Sequence, residues 1–193
     1  MKRISKFLAD YVIDKGVVEE KEREIYEYGF TIAMELIIFI GLCLVITVAL
    51  QMYLEGILFF VIFIPLRSYA GGLHLKTYSS CLVASVLVFT GVLVLDKLIQ
   101  MPAIPGCIMA LCSLIGIYAL YPVENVNRDV DDQEDRYFKR KLKLFLALDL
   151  ILIFVFFILS ADREIWIIAF TLVMVLGTMG VGKYSNLCSK KHE

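Results

Sequence analysis

Several long apolar runs constrain this chain more than any other feature. Five of them are Phe30–Leu50, Cys81–Leu95, Ala103–Tyr121, Leu144–Ser160 and Ile165–Val181. A transmembrane helix needs about 20 apolar residues, and a soluble domain of 193 residues does not bury five runs of this kind. We therefore predict an all-α, polytopic membrane protein. The first residues show no apolar region followed by a cleavage site, so the first membrane helix is expected to direct insertion.

A sixth apolar stretch, Ile57–Leu66, decides the number of crossings. Its ten residues make only about 15 Å of helix, so it spans only with Met52–Glu55 and the residues around Pro65, and is otherwise re-entrant. With six crossings, segments 1–28, 67–80, 122–143 and 183–193 share one side and hold 17 of the 19 Lys and Arg residues. Cytoplasmic loops are rich in Lys and Arg, so six helices with both termini in the cytoplasm are predicted.

The charged ends and loops divide the chain into a cytoplasmic helical segment (1–28), a membrane domain (29–183) and a cytoplasmic tail (184–193). In the first segment, apolar residues recur with helical spacing, at Ile4, Phe7, Leu8, Tyr11 and Val12. This pattern predicts an amphipathic helix. The helix lies either on the cytoplasmic membrane surface or against the cytosolic surface of the protein itself, and the sequence does not decide between them.

The cytoplasmic loop 122–143 carries an acidic block followed by a basic block. The basic residues are Arg136, Lys139, Arg140, Lys141 and Lys143. One interpretation is that these cations enforce topology and meet anionic lipid. The other is that Lys139, Arg140, Lys141 and Lys143 dock a charged peptide.

Reactive residues concentrate in the cytoplasmic segment 65–81, PLRSYAGGLHLKTYSSC. It combines His74 and Cys81, a possible base and nucleophile, with Arg67 and Lys76, which supply positive potential for a thiolate, an oxyanion or a substrate. Polar residues at membrane depth are costly and usually functional. Without a CxxC pair and with only two histidines, the chain is expected to hold no metal and no cofactor.

The spacing of His74 and Cys81 requires a bend if the two act together. On one straight helix they would share a face but stand about 10.5 Å apart along the axis, too far for direct proton transfer. The Gly71–Gly72 pair permits an irregular backbone, and Thr77, Ser79 or Ser80 is expected to cap a helix that begins near Cys81. A cysteine at a helix start has its thiolate favoured by the helix dipole. Glu124 and Asn125 are candidates for an orienting group only because they share the cytoplasmic side.

These residues resemble a known pattern. The spacing R-x3-GG-x-H-x6-C, formed by Arg67, Gly71, Gly72, His74 and Cys81, and the stretch Pro122–Arg128 are similar to the accessory gene regulator protein B (AgrB) family of Gram-positive bacteria. The resemblance covers the whole layout of the chain, with its specificity in the segment from Arg67 to Cys81.

The resemblance implies a membrane cysteine endopeptidase, a thiol protease of quorum sensing and virulence regulation. Cys81 would be the nucleophile and His74 its base. The partner would be a short propeptide with an amphipathic N-terminal helix and an acidic C-terminal tail. Cleavage through an acyl-enzyme thioester would yield a cyclic thiolactone or lactone autoinducing peptide. The lipid bilayer is the other partner, a homodimer stays open, and no nucleic acid is expected.

Two functions of other classes stay open beside the peptidase. A transporter or exporter of a peptide or small molecule would carry ionisable residues at mid-membrane. Apart from Glu35, near the start of the first span, the long spans are expected to contain no internal charges, which disfavours transport. A non-catalytic membrane scaffold is the other. A peptidase requires Cys81 for product formation, whereas a transporter or scaffold tolerates its replacement.

Overall fold

The computed structural model describes residues 2–71, 78–99, 101–122 and 132–189, and in this part of the chain the regular elements are helices. The seven α-helices are α1 (Lys2–Asp14), α2 (Arg23–Leu50), α3 (Tyr53–Ala70), α4 (Tyr78–Leu98), α5 (Ala103–Leu120), α6 (Asp132–Ile158) and α7 (Asp162–Ser189). A short 3₁₀ helix, Glu20–Glu22, leads into α2. The all-helical prediction is therefore confirmed.

Short connections at one end of the bundle fix the alternating direction of its helices. Gln51 ends α2 in the left-handed conformation (φ 57°), and its N–H donates to the carbonyl groups of Thr47 and Val48. Helix α3 starts two residues later. Its Gly56 packs so closely on α2 that an added Cβ would lie 2.8 Å from the Thr47 hydroxyl oxygen. Three residues likewise separate α6 from α7.

Helix α7 is the central helix of the bundle. It packs against α3, α4, α5 and α6, and each of its residues Ile165–Ala169 is buried. The core around it also contains a ring cluster in which Phe59 of α3 stacks on Phe63, with ring centroids 4.8 Å apart, and meets the edge of Phe89 of α4 at 5.0 Å. Helices α3 and α4 touch each other far less than each touches α7, so α7 sets their relative positions.

Five of the described helices, α2 to α5 and α7, are long and apolar enough to cross a membrane. The stretch Ile57–Leu66 belongs to the continuous helix α3, whose 18 residues extend about 27 Å. Helix α3 includes Glu55 and Pro65, the extension on which the predicted crossing depends, so its length favours the spanning alternative over the re-entrant one. Helix α6 is not among the five, because even its last 18 residues contain Lys141, Lys143 and Asp149. Five of the six predicted crossings therefore correspond to helices that are long and apolar enough to span a membrane.

Helix α1 packs against α2 through small side chains. Ser5 and Ala9 are fully buried, whereas Ile4, Phe7 and Tyr11 of the predicted apolar stripe are more than half exposed. An ion pair between Arg23 and Asp10 ties the two helices together. Helix α1 therefore lies against the protein itself, as one of the two alternatives has it, while these three side chains of the apolar stripe remain exposed.

An ion cluster lies at the end of the bundle that contains the two-residue turn between α2 and α3. The Arg163 guanidinium at the start of α7 forms an ion pair with Glu55 Oε1 on α3 at 3.0 Å, and its Nε–H donates to Asp96 Oδ2 on α4 at 3.2 Å. The carboxylate side chains are 8% and 0% exposed, while the arginine side chain is 49% exposed. One cation thus joins three helices through two buried anions.

Candidate active site

The site begins where α3 ends. Arg67 lies in the last turn of α3, half-buried, with its Nη1 atom out of contact with solvent. The helix stops at Ala70 because Gly71 adopts φ 80° and ψ −162°, a conformation that side chains disfavour. The expected irregular backbone at the glycine pair is confirmed at Gly71. The helical conformation is therefore lost at Gly71, four residues after the arginine.

Cys81 lies in the first turn of α4. The helix begins at Tyr78, and the Cys81 thiol is free and half-buried. The Arg67 guanidinium lies within electrostatic range of this sulfur. A positive charge and the orphan N–H groups of a helix start both favour a thiolate over a thiol. The structure therefore brings together Arg67 and Cys81 from the two ends of the predicted segment.

Other predicted site residues fall outside the described part of the chain: Gly72, His74, Lys76, Glu124 and Asn125. Thr77, one of the expected helix caps, is outside it as well. The other two, Ser79 and Ser80, lie inside α4, because the helix starts earlier than expected, so the expectation that either caps it is wrong. The geometry of a His74–Cys81 pair stays a prediction.

An aromatic cluster joins the end of α3 to α6. The Tyr69 ring stacks on Phe145 at a centroid distance of 5.4 Å and also meets Tyr137 at 6.5 Å and Phe138 at 6.1 Å. Rings that pack in this way bury large apolar areas and hold their backbones in a fixed relation. Because Tyr69 stands between Arg67 and Gly71, the cluster ties the motif to the start of α6.

The predicted docking residues lie on that same part of α6. Lys139, Arg140 and Lys143 are exposed, and Lys141 is half-buried. The Lys141 ammonium lies 5.6 Å from the Tyr137 ring centroid, and that of Lys143 lies 5.8 Å from the Tyr118 ring. Cation–π contacts orient an ammonium group without neutralising it, so the four residues remain a block of positive charge beside the aromatic cluster.

Tyr121, just past the end of α5, anchors the acidic side of the same loop. Its hydroxyl donates to Asp135 Oδ1 at 2.8 Å. Burial, and then the hydrogen bond and the negative charge of Asp135, raise the pKa of Tyr121 above its ordinary value of 10.0. One carboxylate of the acidic block, that of Asp135, is therefore hydrogen-bonded to the end of α5.

Four further ionisable residues are buried or paired in the structure and lie outside the predicted site. Three form the ion cluster of Glu55, Asp96 and Arg163. The fourth, Asp149, is 3% exposed within α6, and its Oδ2 atom has no hydrogen-bond partner in the described part of the chain. Its place inside the apolar run Leu144–Ser160 is a signal that the sequence itself offers, whereas the cluster joins residues distant in sequence.

Comparison with known proteins gives one match. No curated protein and no solved structure matches the chain. The family model of accessory gene regulator B matches residues 3–179, which include both ends of the segment described above. The chain, with its bundle of apolar helices and its Arg67–Cys81 pair, therefore belongs to the accessory gene regulator B (AgrB) family.

Proposed function

We propose that this protein is a membrane-embedded cysteine endopeptidase that cleaves a short signal propeptide and helps to close its cyclic product. Membership in the family implies a part in processing quorum-sensing peptides. The observation that carries the finer proposal is the half-buried Cys81 thiol in the first turn of α4, within electrostatic range of Arg67. A cysteine nucleophile works best beside a positive charge that stabilises the negative charge of the reaction, and Arg67 supplies one.

The reaction follows from thiolate chemistry. The Cys81 sulfur attacks the carbonyl carbon of the scissile peptide bond, and His74 holds the proton that the thiol has lost. When the C–N bond breaks, His74 gives that proton to the leaving amine, and the peptide remains on Cys81 as a thioester. An internal thiol of the propeptide then attacks the thioester carbonyl. This forms the thiolactone and returns the Cys81 thiol, whereas a serine at that point would give a lactone.

Arg67 has an electrostatic role in this proposal. A guanidinium keeps its charge at every accessible pH, so it stabilises the oxyanion of the tetrahedral intermediate. Replacement of Arg67 by Gln should lower the rate of thioester formation, because the negative charge that develops on that oxygen loses its nearby cation. Replacement by Lys should restore part of the rate. Equal rates of thioester formation for wild type and Arg67→Gln would contradict this role.

The substrate meets the enzyme at the cytoplasmic side of a bacterial membrane in this proposal. Six crossings place both termini in the cytoplasm, with α6 as the sixth span despite its charges. The propeptide lies with an amphipathic helix in the interface and its acidic tail toward Lys139, Arg140, Lys141 and Lys143. The support is the clustering of those cations beside the aromatic residues that contact Tyr69 of the motif helix.

The test is co-expression with the short peptide encoded beside this chain, followed by mass spectrometry of the product. Wild type should release the C-terminal tail, and Cys81→Ala and His74→Ala should not, although both insert in the membrane. Cys112→Ala is the matched control, because Cys112 is a free, exposed cysteine of α5 outside the site and its loss should leave processing intact. A product lighter by one water than the linear fragment reports cyclisation. Normal processing by Cys81→Ala would refute the proposal.

The buried carboxyl of Asp149 favours a second candidate function, transport of a peptide or small molecule. Ionisable side chains within membrane helices commonly mark substrate or proton pathways. A transporter should lose function in Asp149→Asn and keep it in Cys81→Ala, whereas a peptidase should show the opposite order of sensitivity. Processing and release of peptide, measured for both variants in the same cells, separate the two.

A further inference from the structure

A cavity opens at the end of the bundle that carries the ion cluster. It has a volume of about 590 Å³ and lies between the end of α4, the start of α5 and the start of α7. This volume is in the range of small-molecule sites. Cys81 is 15 positions before Asp96 on α4, which puts about 22 Å of helix between this cavity and the candidate active site. The cavity is therefore a separate site.

The buried charges of this cavity do not balance. The Asp96 side chain, which lines the cavity, is 0% exposed and accepts a bond from Arg163 with one oxygen only. Its other oxygen, Oδ1, is buried and lacks a hydrogen-bond donor among the residues that the structure describes. Arg163 also serves the buried Glu55, so two carboxylates share one guanidinium. A buried carboxylate oxygen without a donor is costly, and a ligand with a cationic donor would remove that cost.

The mouth of the cavity carries one exposed cation, one exposed anion and an apolar wall. Lys97 and Asp162 both line the cavity and are exposed, and Lys97 is next to the exposed Leu98. Trp166 and Met101 contribute apolar surface, and the Trp166 indole N–H fixes the turn by donating to the Met101 carbonyl at 3.0 Å. The exposed Ile104 continues this surface onto α5. A buried acceptor, then a cation, then apolar helix surface is an arrangement that matches an amphiphile with an ammonium and a phosphate.

We propose that this cavity binds the headgroup of an aminophospholipid. The primary ammonium donates to Asp96 Oδ1, the phosphate lies against Lys97, and the acyl chains follow Leu98 and Ile104 along the surface of α4 and α5. A soluble amine phosphate has the same polar chemistry but makes no use of the apolar surface, so it should bind more weakly. The proposal does not rest on the peptidase function, since none of these residues belongs to the Cys81 site.

Trp166 provides the measurement, because it is the only tryptophan in the chain and lines the cavity. The full-length protein in maltoside micelles is titrated with dihexanoyl phosphatidylethanolamine while Trp166 emission is recorded, and native mass spectra detect the lipid adduct. Dihexanoyl phosphatidylcholine, whose trimethylammonium has no N–H donor, and soluble phosphoethanolamine are titrated in parallel. The ethanolamine lipid should bind about tenfold more tightly than either, since a hydrogen bond to a charged group discriminates by at least that factor.

Three variants separate binding from folding. Asp96→Asn should remove the preference for ethanolamine over choline, whereas Asp14→Asn, at an exposed acid that ends α1 and does not line the cavity, should keep it within about twofold. Lys97 is exposed, so Lys97→Gln should fold normally and weaken both lipids about threefold through loss of the phosphate contact. Equal affinity for the two lipids, equal affinity for free phosphoethanolamine, or neither a spectral change nor an adduct would overturn the proposal.

Discussion

Removal of the Arg163 guanidinium should destabilise the fold out of proportion to its exposure. Breaking a buried ion pair by deleting one partner typically costs about 3–5 kcal/mol, because the remaining charge stays buried without compensation. In Arg163→Ala two carboxylates, 8% and 0% exposed, lose their shared cation. The arginine itself is 49% exposed, so part of the interaction is screened by solvent and we reduce the expected loss to about 2 kcal/mol. That is roughly a 30-fold change in the ratio of folded to unfolded protein.

The chain offers a matched control in Arg23, which also joins two acids. Arg23 contacts Asp10 and Glu20, but these carboxylate side chains are 39% and 69% exposed. Arg23→Ala should therefore lose much less stability than Arg163→Ala. The measurement is the free energy of unfolding in mixed micelles of maltoside and dodecyl sulfate, followed by far-ultraviolet circular dichroism.

A triple variant tests the reason for the loss. Glu55→Gln, Asp96→Asn and Arg163→Gln together remove every charge of the cluster, so no ion is left stranded, and the triple variant should be more stable than Arg163→Ala alone. If Arg163→Ala and Arg23→Ala lose equal stability, or if the triple variant is the least stable of all, the stranded-charge reasoning is refuted.

Three further predictions concern the candidate site. Gly71→Ala should lower the free energy of unfolding by about 1–3 kcal/mol and slow processing, because a φ of 80° disfavours a side chain. Gly41→Ala, where an added Cβ meets open space on α2, should do neither. The unfolding free energies of both variants check this. The raised pKa of Tyr121 means that the folded state holds the hydroxyl proton more firmly than the unfolded state does. The contribution of this group to the free energy of unfolding is therefore full below pH 10 and falls as the pH rises. The free energy of unfolding measured from pH 9 to 11 should show this slope in wild type and a flatter one in Tyr121→Phe. Replacement of the docking cations by Gln (Lys139, Arg140, Lys141 and Lys143) should weaken processing steeply at low salt and little at high salt, and salt-independent kinetics would remove their docking role.

The apolar runs predict much of the fold because a membrane helix must satisfy its backbone internally, whatever its neighbours are. Phe30–Leu50 and Ile165–Val181 lie wholly inside α2 and α7. The apolar stretch Ile57–Leu66 leaves a spanning and a re-entrant segment open, and the structure shows a helix, α3, that continues on both sides of the stretch and through Pro65. Membrane helices tolerate such residues because neighbouring helices cover the freed backbone groups, and a hydropathy pattern contains nothing about neighbours.

In the candidate site and the ion cluster, too, one contact is predictable from the sequence and others are not. The approach of Arg67 to Cys81 is predictable, because both lie at helix ends joined by a short segment with a glycine pair. The contact of Arg163 with Asp96 is not, since it joins residues 67 positions apart through the packing of α7 in the bundle. The aromatic contact of Tyr69 with Phe145 likewise depends on how α3 lies against α6.

Arg163 links helices α3 and α4 at one end of each helix. Glu55 and Arg67 lie near the two ends of α3, and Asp96 and Cys81 lie near the two ends of α4, so Arg163 contacts each helix at the end opposite the Arg67–Cys81 pair. An α-helix hardly stretches along its axis, and these two helices touch each other little along their length. An axial shift of one helix at Arg163 therefore changes the distance between the Arg67 guanidinium and Cys81 at the other end.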